Sequence, residues 1–90
     1  MMNANNITIK KPTDAEKVEL LKCPTWECGI SRFDWQYDAE EHCLITEGTA
    51  RIEADGCAVT AAAGDYVIFP KGLTCIWDVS QPIRKHYFFK

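Results

Sequence analysis

Apolar residues in this chain recur mostly at every second position, in short runs closed by turn residues. Ile7 and Ile9 alternate with Thr8 and Lys10, and Pro12 ends the run, which predicts a short edge strand. The next segment breaks the alternation. Thr13-Asp14-Ala15-Glu16 has the spacing of a capping box. The Thr13 hydroxyl can accept from the Glu16 amide, and the Glu16 carboxylate can reach back to the amide of Thr13. Ala15, Val18, Leu20 and Leu21 supply a weak apolar face, and Pro24 forbids continuation, so a helix of about two turns is predicted.

Beyond Pro24 the alternation returns. Trp26, Cys28 and Ile30 share one parity, and Phe33, Trp35 and Tyr37 share the other, so a bulge or bend is expected at Ser31-Arg32. Asp38-Ala39-Glu40 reads as a turn. Strands are predicted from Glu41 to Glu47, closed by Gly48, and from Ala50 to Ala54. Asp55-Gly56 predicts a type I′ hairpin, because both of its central residues need positive φ, and Cys57 to Ala62 returns antiparallel. Ala63-Gly64-Asp65 turns the chain into an apolar run that ends at Phe69. Pro70 closes that ladder for want of an N–H, and Gly72 lets the chain reverse into Thr74 to Val79. A turn at Gln81-Pro82 then leads to Arg84 to Phe89. Short strands at this spacing predict an antiparallel sandwich or barrel.

Ninety residues leave room for one core. Ten Lys and Arg against thirteen Asp and Glu give a net charge of -3. No basic run is long enough to follow a phosphate backbone, so nucleic acid is not expected as a partner. No apolar stretch approaches the roughly 20 residues of a membrane span, and the amino end lacks the order of a signal peptide. The five cysteines, Cys23, Cys28, Cys43, Cys57 and Cys75, form no C-x2-C pair. Free thiols in the cytoplasm or another reducing compartment are expected.

Gly64-x5-Pro70-x-Gly72, and Glu41 spaced from Gly48 by six residues, match turn and strand motifs of the cupins. With Phe33-Asp34-Trp35, Glu47-Gly48 and Arg84-Lys85-His86-Tyr87, the chain resembles the small single-domain DUF861 or cupin_3 group. That group is related to ureidoglycine aminohydrolase and to an ethanolamine-utilisation cupin. The resemblance implies an all-β, RmlC-like jelly-roll barrel: residues 1–24 give the first strand and the short helix, and residues 25–90 give the barrel. It also implies a homodimer that exchanges the strand at Ile7 to Lys10. The cupin pattern G-x5-H-x-H-x3-E-x6-G, with a later histidine, holds a metal. Here the three histidine positions fall on Trp35, Tyr37 and Cys75, and only Glu41 remains. An indole nitrogen only donates, and a phenol ligates only when ionised. Glu41 and Cys75 fall short of the three protein ligands of a catalytic zinc, so no metal and no other cofactor is expected.

Strand alternation places Cys43 and Ile45 on the face of Glu41, and Trp35, Tyr37, Cys75 and Trp77 inward with them. Leu44 and His42 fall on the other face, where His42 reads as a surface or interface residue. The inward rings either fill the barrel or wall a small-molecule pocket. A carboxylate there costs several kcal/mol unless it is paired, so Glu41 is either satisfied structurally or works as an acid or base, with Tyr37 as its partner. Cys43 and Cys75 read as core residues, as soft-metal ligands with Glu41, or as a redox pair. For the last strand, alternation leaves open which set faces inward: Arg84, His86 and Phe88, or Lys85, Tyr87 and Phe89. Similarity to the aminohydrolase, whose last strand lends a tyrosine and a lysine to its site, implies Lys85 and Tyr87.

The expected function is therefore metal-free binding of a small polar organic ligand by Trp35, Tyr37, Glu41, Cys43, Cys75, Trp77, Lys85 and Tyr87. Three alternatives stand beside it: an isomerase- or hydrolase-like enzyme working through Glu41 and Tyr37, a metal enzyme on Glu41, Cys75 and His86, and a filled barrel serving an interaction.

Overall fold

Two long strands organise the fold where the sequence predicts two pairs of shorter ones. The computed structural model describes residues 2–90. In chain order the elements are β1 (Thr8–Lys10), α1 (Asp14–Leu21), β2 (Thr25–Cys28), β3 (Ser31–Gln36), β4 (Glu41–Ala54), β5 (Cys57–Ala62), β6 (Tyr66–Phe69) and β7 (Thr74–Phe89). Every pairing is antiparallel. The strands run in the order β1-β6-β4-β7-β2, with β3 also on β7 and β5 also on β4. β1, the predicted exchange arm, lies on β6 of its own chain, with Ile9 opposite Val67.

The turns expected at Gly48 and at Gln81-Pro82 are two sides of one irregularity. The β4–β7 register shifts three times between Ile45 and Ala50, and both strands continue through it. Gly48 sits at φ +88, and a Cβ there would lie 2.1 Å from the carbonyl oxygen of Pro82. Only glycine allows so close an approach, and Pro82, with no N–H, loses no ladder bond where the ladder is already broken. The bend expected at Ser31-Arg32 falls slightly earlier, at Gly29-Ile30. Asp55 and Gly56 have φ of 49° and 79°, as the hairpin between β4 and β5 requires.

The capping box forms at α1. Thr13 Oγ1 accepts from the Glu16 amide at 3.1 Å, and Glu16 accepts from the Thr13 amide at 2.9 Å. The helix rests on the outer face of β4 through Leu20, which packs with Leu44 and Tyr66. Val18 and Leu21 stay exposed, so the apolar face is narrower than the sequence suggests. The main core lies on the other face of the sheet, around Ile45, Ile52, Val67, Phe69, Leu73 and Trp77. All five cysteines are free thiols. Among the described residues no helix is long and apolar enough to cross a membrane.

Candidate functional site

The inner face of β7 keeps its alternation past the irregularity, so Cys75, Trp77, Val79, Ile83 and Lys85 are all buried. This decides the face that the sequence leaves open. Lys85 points inward, and His86 points away, its Nδ1 donating to the Cys23 carbonyl at 2.9 Å. Lys85 pairs across the ladders with Ile45 of β4 and Trp26 of β2. Its long stem carries the ammonium along the sheet to Glu41, where Nζ donates to Oε2 at 2.7 Å.

Both partners are buried, Glu41 at 2% exposure and Lys85 at 6%. Isolated charges at that depth would each cost several kcal/mol, and their mutual bond offsets the cost. Aromatic faces add to it. The ammonium lies 4.7 Å from the Trp77 ring centre, 5.0 Å from Trp26 and 5.8 Å from Phe69. A desolvated cation–π contact contributes up to about 2 kcal/mol.

Above this pair opens a cleft of about 250 Å³. Glu41 and Lys85 border it, and its walls are the rings of Trp26, Phe33, Trp35, Tyr87 and Phe89. Trp35 and Phe89 stand half-exposed at its mouth, at 49% and 51%. Among the described residues no buried side-chain nitrogen or oxygen lacks a hydrogen-bond partner. The donor to the Glu41 carboxylate is Lys85, and it takes Oε2. Among the described residues no donor takes Oε1, so that oxygen is not sealed in, and Glu41 borders the cleft. The floor thus holds one free acceptor beside a positive charge that is already matched.

Of the eight residues singled out in the sequence, Trp35, Glu41, Lys85 and Tyr87 border the cleft. Tyr37, Cys43, Cys75 and Trp77 do not; they lie in the packed core behind it. Tyr37 stacks on Phe69 with ring centres 4.7 Å apart, and its hydroxyl accepts from Trp77 Nε1 at 3.2 Å. Burial, reinforced by the Glu41 charge, holds the Tyr37 phenol well above its ordinary range, so it stays protonated. Burial also pushes the Cys43 thiol up to about 12 and the Cys75 thiol up to about 11, which disfavours thiolate chemistry. Trp26, Phe33 and Phe89 border the cleft without having been singled out. For Trp26 the signal was present, since its parity matches that of Cys28 on an inner face.

The donor set does not fit the cupin metal. An indole, a protonated phenol and a protonated thiol hold the three histidine positions, and Lys85 occupies the carboxylate. Among the described residues no three His, Cys, Asp or Glu side chains are placed to hold a metal ion. The alternative set of Glu41, Cys75 and His86 is not assembled, because His86 faces away and bonds Cys23.

His42 corrects another expectation. It lies on the outer face of β4 but is only 7% exposed, because the outer face there is packed against α1 and its neighbours. Its Nδ1 meets the Tyr66 hydroxyl at 2.7 Å and its Nε2 meets Glu40 at 2.7 Å. Phe88 stacks on the ring at 4.9 Å.

Comparison with known proteins agrees with this fold. The family profile of the EutQ-like cupin domain, Cupin_3, matches residues 15–87. The chain is 31% identical over 72 residues to a protein named acetate kinase EutQ from Clostridioides difficile (strain 630), covering 80% of this chain and 46% of that protein. The chain therefore spans less than half the length of that relative. A crystal structure of a DUF861 family protein from Thermotoga maritima superposes with a TM-score of 0.89 at 41% identity, covering 93% of this chain and 99% of that one. The structure of the Clostridium difficile EutQ protein superposes with a TM-score of 0.67 at 25% identity, covering 96% and 71%.

Proposed function

The chain belongs to the EutQ-like cupin family, and from that premise we propose that it binds a small polar organic molecule, without a metal, in the cleft above Glu41 and Lys85. One observation carries the reading: the 2.7 Å pair is buried, yet one carboxylate oxygen is left free on a cleft walled by aromatic rings. Apolar walls with a few convergent polar groups are the usual build of a small-molecule site. The cleft's volume lies below the roughly 300–1,000 Å³ of pockets for drug-sized ligands, so a metabolite-sized occupant suits it.

The kinase activity named for the Clostridioides relative is not supported by this cleft. Phosphoryl transfer needs cationic groups free to meet the phosphate, and among the described residues the one cation bordering the cleft, Lys85, is engaged by Glu41. The second reading, an isomerase- or hydrolase-like enzyme with Glu41 as acid or base, draws on the same open oxygen. Tyr37 does not border the cleft, so in that reading Glu41 meets the ligand without it. If turnover of a cleft ligand is found, Glu41→Gln lowers it by about 100-fold or more.

The test is a thermal-shift screen of small acids, amines, amides and sugars in the presence of a chelator. A ligand at a hundred times its Kd adds about 2.7 kcal/mol, a rise of about 10 °C or more in a domain of this size. A compound that stabilises the protein and loses its effect in Trp35→Ala supports the cleft as the site. A screen with no stabilising compound, or hits indifferent to both Trp35→Ala and Glu41→Gln, rejects it.

A further inference from the structure

The chemistry of the cleft floor narrows the ligand class. We infer, resting on the binding reading above, that the cleft selects a neutral planar group carrying a hydrogen-bond donor next to an acceptor, such as a carboxamide or lactam, over its anionic and cationic counterparts. The floor is one negative and one positive charge bonded to each other at 2.7 Å, both withdrawn from water. An anion entering the cleft would compete with Glu41 for the Lys85 ammonium and leave a carboxylate stranded in an apolar surround. A cation would compete with Lys85 for the carboxylate and strand the ammonium. Breaking a buried pair in either way costs more than the new contact returns. A neutral group that presents both functions adds to the pair without breaking it. Its N–H donates to Glu41 Oε1, which no donor among the described residues uses, and its carbonyl accepts from a remaining N–H of Lys85.

The walls add the requirement for flatness. Trp26 and Phe33 meet edge to face, with centres 6.1 Å apart, and Trp35 and Tyr87 present further ring surface. Aromatic faces reward a planar occupant by stacking and offer little to a bulky one.

Three isosteric probes separate these cases: benzamide, benzoate and benzamidinium. All three are flat and of one size, and they differ only in charge and in the donor–acceptor pattern. Binding is read by the emission of the tryptophans at the cleft and by calorimetry on the full chain. The expected result is saturable binding of benzamide, about tenfold or more tighter than either charged isostere. Glu41→Gln, which leaves the ammonium unmatched, shifts the preference toward benzoate, and Lys85→Gln shifts it toward benzamidinium. A charged probe that binds the unaltered protein as tightly as benzamide overturns the neutral-ligand inference while leaving the cleft as a binding site. Failure of all three probes to bind overturns the neutral-planar inference, while the cleft as a binding site stands or falls with the thermal-shift screen. The comparison on the unaltered protein stands even if either variant fails to fold.

Discussion

Glu41 and His42 are neighbours in sequence, both buried and both engaged with a polar partner, yet they belong to opposite kinds of place. His42 has both ring nitrogens bonded, a ring stacked on Phe88, and no cavity among those that border Glu41. Glu41 spends one oxygen on Lys85 and keeps the other for the cleft. Depth is therefore a poor marker of a functional polar group. The informative sign is hydrogen-bonding capacity left unused beside empty space. The outer network ties α1's side of the sheet together, and the inner pair leaves something undone.

The comparison can be broken or sharpened by four measurements. The largest effect is expected from Lys85→Met, which strands the buried Glu41 carboxylate and costs about 3–5 kcal/mol in urea unfolding. Most of that loss returns in Lys85→Met/Glu41→Gln, since no charge is then left alone. A cost below about 1 kcal/mol would mean that the pair is far better hydrated than its burial implies. Next, His42→Ala removes a stacked ring and leaves the Tyr66 hydroxyl without its partner, costing about 2–3 kcal/mol. The same variant leaves benzamide binding in the cleft unchanged; a parallel loss of binding would show that the two faces are coupled.

The third effect is alkaline. Burial raises the Cys43 thiol from 9.0 to about 12 in the folded protein, so between these values the unfolded chain has released a proton that the folded chain still holds. The share of stability held by this thiol is thus complete below pH 9 and falls as pH rises toward 12, by up to about 1.4 kcal/mol per pH unit. The buried Tyr37 phenol adds to the loss above its ordinary range. Cys43→Val removes the thiol's share, seen as a shallower fall in urea midpoint with pH. A fall of the same slope in Cys43→Val would place the alkaline sensitivity elsewhere. The smallest stability change is expected from Trp35→Ala, within about 0.5 kcal/mol because the ring is half-exposed at the mouth, while benzamide binding weakens by about tenfold.

Most of the fold could be read from the chain because its local signals are chemically specific. Thr13 with Glu16 can cap only a helix start, and Asp55-Gly56 fits a turn that demands positive φ twice. Gly48 and Pro82 were less readable. A glycine and a proline suit a turn and a bulge equally, and the distinction depends on how β4 and β7 meet, which neither segment contains alone. The site divides along a similar line. Period-two alternation says which face a side chain takes but not how deep it sits. Trp35, Tyr87, Tyr37 and Trp77 share the inner face, yet the first two border a cleft while the last two are sealed behind it. The place of Phe89 at the mouth follows from its pairing with Glu41 across β4 and β7, a contact no local pattern announces.

The two long strands also impose an order on biogenesis. Residue 41 is matched with residue 89 and residue 53 with residue 76, so β4 is synthesised before the strand that must lie along it. Until then its apolar inner side has no shield, and the lysine that will neutralise Glu41 does not yet exist. Closure therefore waits for β7, and pairs so far apart in sequence make folding slower than in a chain of local contacts.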